Sequence, residues 1–215
     1  MNMINEAEAR KEIIKTGILL LEKGLVLGTG GNISCRTEKG FLITPSGMDY
    51  HGLVPEDIVM MDLNGNVLSG TRKPSIEKEM HMQILSFRKD VNAVIHTHSV
   101  YATAVACLRQ PLYPITDNQV AVFGGAVPIA EYASIGTAKL ADNARTALAD
   151  GDGVILSNHG ALCVGRTLTE ALMRCEMLEV FARIYILAKA AGGGVILCDD
   201  EVKCESEDLK KRYGQ

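Results

Sequence analysis

The chain has 215 residues, 47% of them hydrophobic and 22% charged, with a formal net charge of −4. That length suits one α/β domain with a sizeable core, and an acidic balance without a basic, aromatic-laced run argues against a nucleic-acid platform. No stretch approaches the roughly 20 apolar residues of a membrane span, Met1–Arg10 has no apolar signal core, and Cys35, Cys107, Cys163, Cys175, Cys198 and Cys204 form no C-x-x-C pair; a cytoplasmic protein without a membrane partner is expected.

Asn5 to Gly24 reads as a helix, with Asn5 as cap, Glu8 as a capping-box partner and Gly24 as the stop. Ile13, Ile14, Gly17, Ile18 and Leu21 share its buried face. The loop Gly28-Thr-Gly-Gly-Asn32-Ile-Ser34 follows. It is either a tight turn or an anion-binding nest to which Thr29 and Asn32 add side-chain donors. It is not a dinucleotide fingerprint, because it follows a helix and Ile33 stands where a third glycine is needed. Phe41-Leu-Ile-Thr44 is a short strand turned by Pro45-Ser46-Gly47, and Asn64-Gly65 is a two-residue hairpin signal between Ile58–Asp62 and Asn66–Leu68. Pro74-Ser75-Ile76-Glu77 opens a helix to about Phe87, with Ser75 as cap and Glu77 in the first turn, where the helix dipole favours a carboxylate. His81 lies one turn on, on the same face, as an ordinary contact of Glu77 or a further ligand.

Ala93-Val94-Ile95-His96-Thr97-His98-Ser99 reads as a buried strand ending in two histidines. Alternation points His96 and His98 the same way, and Ser99 caps a helix from Val100 to about Leu108. Leu112–Ala121 has no clear pattern, and Val127–Ala130 suits an edge strand. Gly136–Ala149 is an amphipathic helix leading to a second strand, Gly153-Val-Ile-Leu-Ser-Asn-His159-Gly160, which also ends in a histidine. Three imidazoles with no fourth protein ligand nearby match a catalytic zinc site with an open position. Thr167 and Glu170 form a capping box for a long helix ending near Gly192. Leu172, Cys175, Leu178, Phe181, Ala182 and Tyr185 line one side of it, and Met177, Val180, Ile184 and Leu187 widen the stripe, so other subunits are expected to cover part of it. The charged tail, 199–215, reads as frayed. Helical spacing alone suggests a doubly wound parallel sheet.

Taken in order, Gly28–Ser34, Leu42–Gly47, Pro74–Glu77, His96-Thr-His98, Asn158-His-Gly160 and Lys211-Arg-Tyr213-Gly214 resemble the class II sugar-phosphate aldolase family, which also includes adducin head domains. The resemblance covers nearly the whole chain and implies one domain, 1–215, a three-layer α/β/α sandwich around a largely antiparallel central sheet. It further implies a homotetramer with active sites between subunits, one zinc ion per subunit on His96, His98 and His159, and a phosphorylated sugar as substrate. The family's phosphate site matches Thr29, Asn32, Ser46, Gly47, Ser75 and Ile76, although the aldolases commonly carry a second serine where Ile76 stands. They also carry a tyrosine near the position of Asp117-Asn118, where this chain has none. The implied reaction is reversible cleavage of a ketose 1-phosphate, of the L-fuculose or 5-deoxy-pentulose kind, to dihydroxyacetone phosphate and an aldehyde. Glu77 would move the proton at C3, and Tyr213, from a neighbouring subunit, the proton on the C4 oxygen. Rival readings within the family are a 4-epimerase, which has aspartate in place of Glu77, a decarboxylase, a dehydratase, and a non-catalytic adducin-like interaction domain.

Overall fold

The computed structural model describes residues 5–212. In chain order its elements are α1 (Glu6–Glu22), β1 (Asn32–Thr37), β2 (Gly40–Ile43), β3 (Val59–Met61), β4 (Val67–Ser69), α2 (Lys78–Phe87), β5 (Ala93–Thr97), α3 (Val100–Leu108), α4 (Asp117–Phe123), β6 (Ile129–Ala130), α5 (Ala138–Leu148), β7 (Gly153–Leu156), β8 (Gly160–Gly165), α6 (Leu168–Ala190) and α7 (Asp199–Arg212). The strands form one sheet in the order β4-β3-β2-β1-β5-β8-β7-β6. Every neighbouring pair is antiparallel except β6–β7. The doubly wound arrangement suggested by helical spacing is therefore wrong. Its physical obstacle is local: β1–β2 and β7–β8 are joined by turns too short for a parallel crossover.

Strand alternation sorts the core into two layers. Ile33, Cys35, Ala93, Ile95, Ala161 and Cys163 pack with α1, α3 and α6 on one face. Val94, Val154, Leu162 and Val164 pack with α2 and α5 on the other. Each fully buried Val, Leu or Ile contributes about 1.5–3 kcal/mol, so the central strands β5 and β8, buried throughout, anchor the sandwich.

Several ends follow their local chemistry. The Asn5 side chain accepts from the Ala7 amide, and Gly24 turns the chain after α1 at φ 66°. Thr167 caps α6 by accepting from the Glu170 amide, while the Glu170 carboxylate accepts from the Arg166 amide.

Other local readings need correction. The β3–β4 connection is a three-residue loop, not a two-residue one: the Asp62 amide bonds Asn66, and Gly65 takes the positive-φ position at 91°. Ser75 starts a turn in which its hydroxyl accepts from the Glu77 amide, so the regular helix begins only at Lys78 and Glu77 is its N-cap residue. The unassigned stretch contains α4, capped by Thr116 and tied down by buried Gln119, which donates to the carbonyls of Leu112 and Gly125. Of the tail expected to fray, Asp199–Arg212 form α7, whose first turn is acidic and which packs against α4.

Candidate metal and catalytic site

The histidine centre sits where β5 ends beside the β7–β8 hairpin. Asn32 of β1 pairs with His96 across the ladder, which places the glycine loop against the same strand end. The approach is close. A Cβ on Gly31 would lie 2.7 Å from the His96 carbonyl oxygen, and one on Gly160 would lie 2.3 Å from that of Thr97. The hairpin tip holds Asn158 at φ 53°, its amide bonded to the Ala106 carbonyl and its side chain accepting from Arg109 Nε at 2.6 Å. That strained turn aims His159 at the strand end.

The imidazoles converge. The Nε2 atoms of His96 and His98 are 2.9 Å apart, and those of His98 and His159 3.2 Å. Glu77 closes the group, with Oε2 3.3 Å from His96 Nε2 and Oε1 3.5 Å from His159 Nε2. All four ligand atoms lie within 4.8 Å of one another. Burial pushes His96 down to about 3, with the His98 charge adding to the effect, and pushes His159 down to about 4. Burial lowers His98 in the same direction. The rings are therefore neutral near pH 7, the form that binds metal. His96 Nδ1–H donates to the Ala161 carbonyl at 2.9 Å, which leaves the Nε2 lone pair facing the centre. Glu77 Oε1 and His159 Nδ1 are buried without a hydrogen-bond partner among the described residues. Three lone-pair nitrogens beside an under-satisfied carboxylate fit a divalent cation in this donor set.

Glu77 is held from behind. Asn32 Nδ2 donates to its Oε2 at 2.8 Å, Asn32 Oδ1 lies 2.5 Å from His81 Nε2, and His81 Nδ1 lies 2.7 Å from Ser34 Oγ. Alternation along β1 puts Asn32 and Ser34 on the face that carries His96. His81 is fully buried, and burial lowers it to about 3. It neither joins the ligand group nor bonds Glu77 directly; Asn32 bridges the two.

The expected phosphate residues fall in three adjoining turns. Antiparallel bridging joins Pro45 to Pro74, the Ser46 amide bonds the Lys73 carbonyl and the Ser75 amide that of Thr44. The Thr44 hydroxyl accepts from the Ile33 amide, tying these turns to the glycine loop. Thr29, Ser46 and Gly47 are exposed, Ser75 is buried, and Ile76 is exposed. Asn32 stands apart, since its side chain is committed to Glu77 and His81.

Two supports escaped the sequence reading. Ser99 occupies the N-cap position of α3 but makes no side-chain cap bond. Glu179 of α6 caps the helix instead, accepting from the amides of Tyr101 and Ala102 at 2.9 Å each. Only a packed helix brings that carboxylate there, and no local motif announces it. Ser34 likewise carries no signal until β1 and α2 are packed together. On α6 the six residues of the expected inner stripe are buried, while Val180, Ile184 and Leu187 remain exposed. Tyr213 lies outside the described residues.

Residues 11–186 match the family described as Class II Aldolase and Adducin N-terminal domain. A protein of Bacillus thuringiensis serovar kurstaki named 5-deoxy-D-ribulose 1-phosphate aldolase is 39% identical, over 96% of this chain and 97% of its own. One of Escherichia coli K12 named L-fuculose phosphate aldolase is 36% identical, over 95% and 94%. Among solved structures, an L-fuculose 1-phosphate aldolase superposes with a TM-score of 0.91 at 42% identity, over 97% of this chain and 98% of that one.

Proposed function

The chain belongs to the class II aldolase and adducin family, and from that premise we propose that it is a metal-dependent aldolase that reversibly cleaves a ketose 1-phosphate to dihydroxyacetone phosphate and an aldehyde. The observation that carries the reading is the convergence of His96, His98 and His159 on one point beside a buried carboxylate with one unpartnered oxygen. A non-catalytic interaction domain has no use for such a group. The substrates proposed are the ketose 1-phosphates named in the relatives, L-fuculose 1-phosphate and 5-deoxy-D-ribulose 1-phosphate.

The three histidines would hold a divalent ion, with zinc as the proposed species, and the ion would supply Lewis-acid polarisation of the substrate carbonyl and a counter-charge for the developing enediolate. Glu77 handles the proton at C3. In cleavage the C4 hydroxyl gives up its proton, the C3–C4 bond breaks with its electron pair moving towards C2, and the protonated Glu77 carboxyl donates to C3. In the aldol direction the carboxylate removes that proton. With one oxygen fixed by Asn32 and the other free towards the histidines, Glu77 is held without being neutralised. Tyr213 is proposed to exchange the proton of the C4 oxygen from a neighbouring subunit of a homotetramer. The exposed Val180, Ile184 and Leu187 on α6 supply an apolar surface suited to such an assembly.

The substrate phosphate is proposed to sit against Thr29, Ser46, Gly47 and Ser75, with the Ile76 amide as a further donor. Adjoining turns that bring several hydroxyls and main-chain amides together suit an anion. Among the described residues no helix is long and apolar enough to cross a membrane, and a cytoplasmic location is proposed with the sugar-phosphate role. The test is direct: zinc-loaded protein incubated with L-fuculose 1-phosphate or 5-deoxy-D-ribulose 1-phosphate should release dihydroxyacetone phosphate, and chelation should stop it. No release from either, with zinc bound at one ion per chain, would overturn the reading.

A further inference from the structure

We infer that His81 is a positioning residue for Glu77, acting through Asn32 with Ser34 fixing its tautomer. The inference rests on the aldolase reading for its consequence, though its geometry stands independently.

Beyond the cluster histidines, Asn32 is the one group that bonds the Glu77 carboxylate among the described residues. A carboxylate oxygen only accepts, so the Asn32 amide must present its NH2 to Oε2. Its carbonyl oxygen then faces His81 Nε2, which must carry the ring proton. A neutral ring leaves Nδ1 as an acceptor, and the Ser34 hydroxyl donates to it. Each assignment forces the next, so one arrangement makes all three hydrogen bonds of the relay. Turning the Asn32 amide over sets two acceptor oxygens against each other at Glu77 and loses the His81 donor as well.

Position makes this more than core filling. Asn32, Ser34, Glu77 and His81 are all 5% exposed or less, so solvent cannot replace a missing partner. Glu77 is an N-cap residue whose side chain makes no cap bond, so its own helix does not orient the carboxylate. A leucine at position 81 would be buried as His81 is but would leave Asn32 Oδ1 without that donor.

The test uses full-length, zinc-loaded protein. Long-range nitrogen NMR should find His81 as the Nε2–H tautomer; the Nδ1–H tautomer would overturn the inference. His81→Phe should keep zinc content and KM for dihydroxyacetone phosphate and lower kcat for deuterium exchange at C3 about tenfold, the scale of one lost buried hydrogen bond. His81→Gln, whose amide nitrogen can donate near the Nε2 position, should recover most of that loss, and Ser34→Ala should show a smaller fall in the same constant. Equal losses in the Phe and Gln variants at unchanged melting temperature, or a loss confined to KM or zinc content, would reduce His81 to a structural group. Should His81→Phe fail to fold, Gln and Ser34→Ala carry the comparison, and unchanged kcat in Ser34→Ala with a mixed tautomer would overturn the inference. Wild-type protein that does not exchange would sink the aldolase reading instead.

Discussion

His96 and Glu77 are 0% and 5% exposed, whereas Thr29, Ser46 and Gly47, in the adjoining turns, lie open to solvent. The first region is made of side chains fixed by strands: His96 is locked by the Ala161 carbonyl, His159 by a strained hairpin tip, and Glu77 by Asn32. The second is made of backbone shape, with hydroxyls added at its rim and its turns stitched by main-chain bonds. The difference teaches where specificity can vary. A buried centre whose members constrain one another tolerates no exchange without disturbing the rest. In an exposed corner a side chain such as that of Ile76 can change while the main-chain bonds that shape the turns remain.

Breaking the buried region should have the largest effect. His96→Ala should abolish stoichiometric zinc binding and lower aldol cleavage by about 10³-fold or more, the scale of losing several kcal/mol of charge stabilisation. Zinc analysis and turnover on one preparation check this, and full activity with zinc absent would refute it. The same burial gives the metal-free protein a pH signature. His81 and His96 are held near 3 and His159 near 4, all below the ordinary 6.5. A depressed basic group adds stability that is present above about 6.5 and lost as pH falls towards its folded value, because the unfolded chain takes up the proton first. Melting temperature of zinc-free protein should therefore fall from pH 6.5 towards pH 4, and a flat profile would mean that the rings are not buried neutral.

Glu77→Gln sharpens the comparison inside the centre. The amide keeps the shape but cannot take a proton, so exchange at C3 should slow by about 10²–10⁴-fold with zinc content retained. Unchanged exchange would demote Glu77 to a helix-end charge.

Much of this centre was legible in the sequence because its signals are local. His96-Thr97-His98 needs only strand alternation to put two imidazoles on one side, and Asn158-His159-Gly160 needs only a bend after an apolar run. The sheet direction was not legible from spacing: amphipathic helices look alike over parallel and antiparallel strands, and only the family resemblance turned the expectation the right way. The start of α2 was misplaced because Ser75 does accept from an amide two residues on, but within a turn that precedes the helix. His81 shows the limit most clearly. Its spacing from Glu77 was visible, yet its real partners, Asn32 and Ser34, lie more than forty residues away, and only packing of α2 on β1 brings them together.

In the turns that carry exposed Ser46 and buried Ser75 the expected effects are smaller. Replacing Ser46 and Ser75 together by Ala should raise KM for the phosphate ester about tenfold per lost charge-assisted bond, with little change for an unphosphorylated analogue. Equal effects on both compounds would mean that these turns shape the fold and do not read the phosphate.

The smallest effect tests the scaffold between the two regions. Glu179 reaches from α6 to the first amides of α3, the helix that leaves the strand end directly after His98 and Ser99. A carboxylate there satisfies two donors that the helix cannot and lies at the positive end of its dipole. Glu179→Ala should cost about 1–2 kcal/mol, a fall of roughly 4 °C in melting temperature for a chain of this size, while turnover of the zinc-loaded protein changes by no more than a few-fold. Ser99→Ala should cost less, because that hydroxyl makes no cap bond. The reverse order, with Ser99 the costlier residue, would return the capping role to the serine and leave Glu179 as an ordinary surface charge.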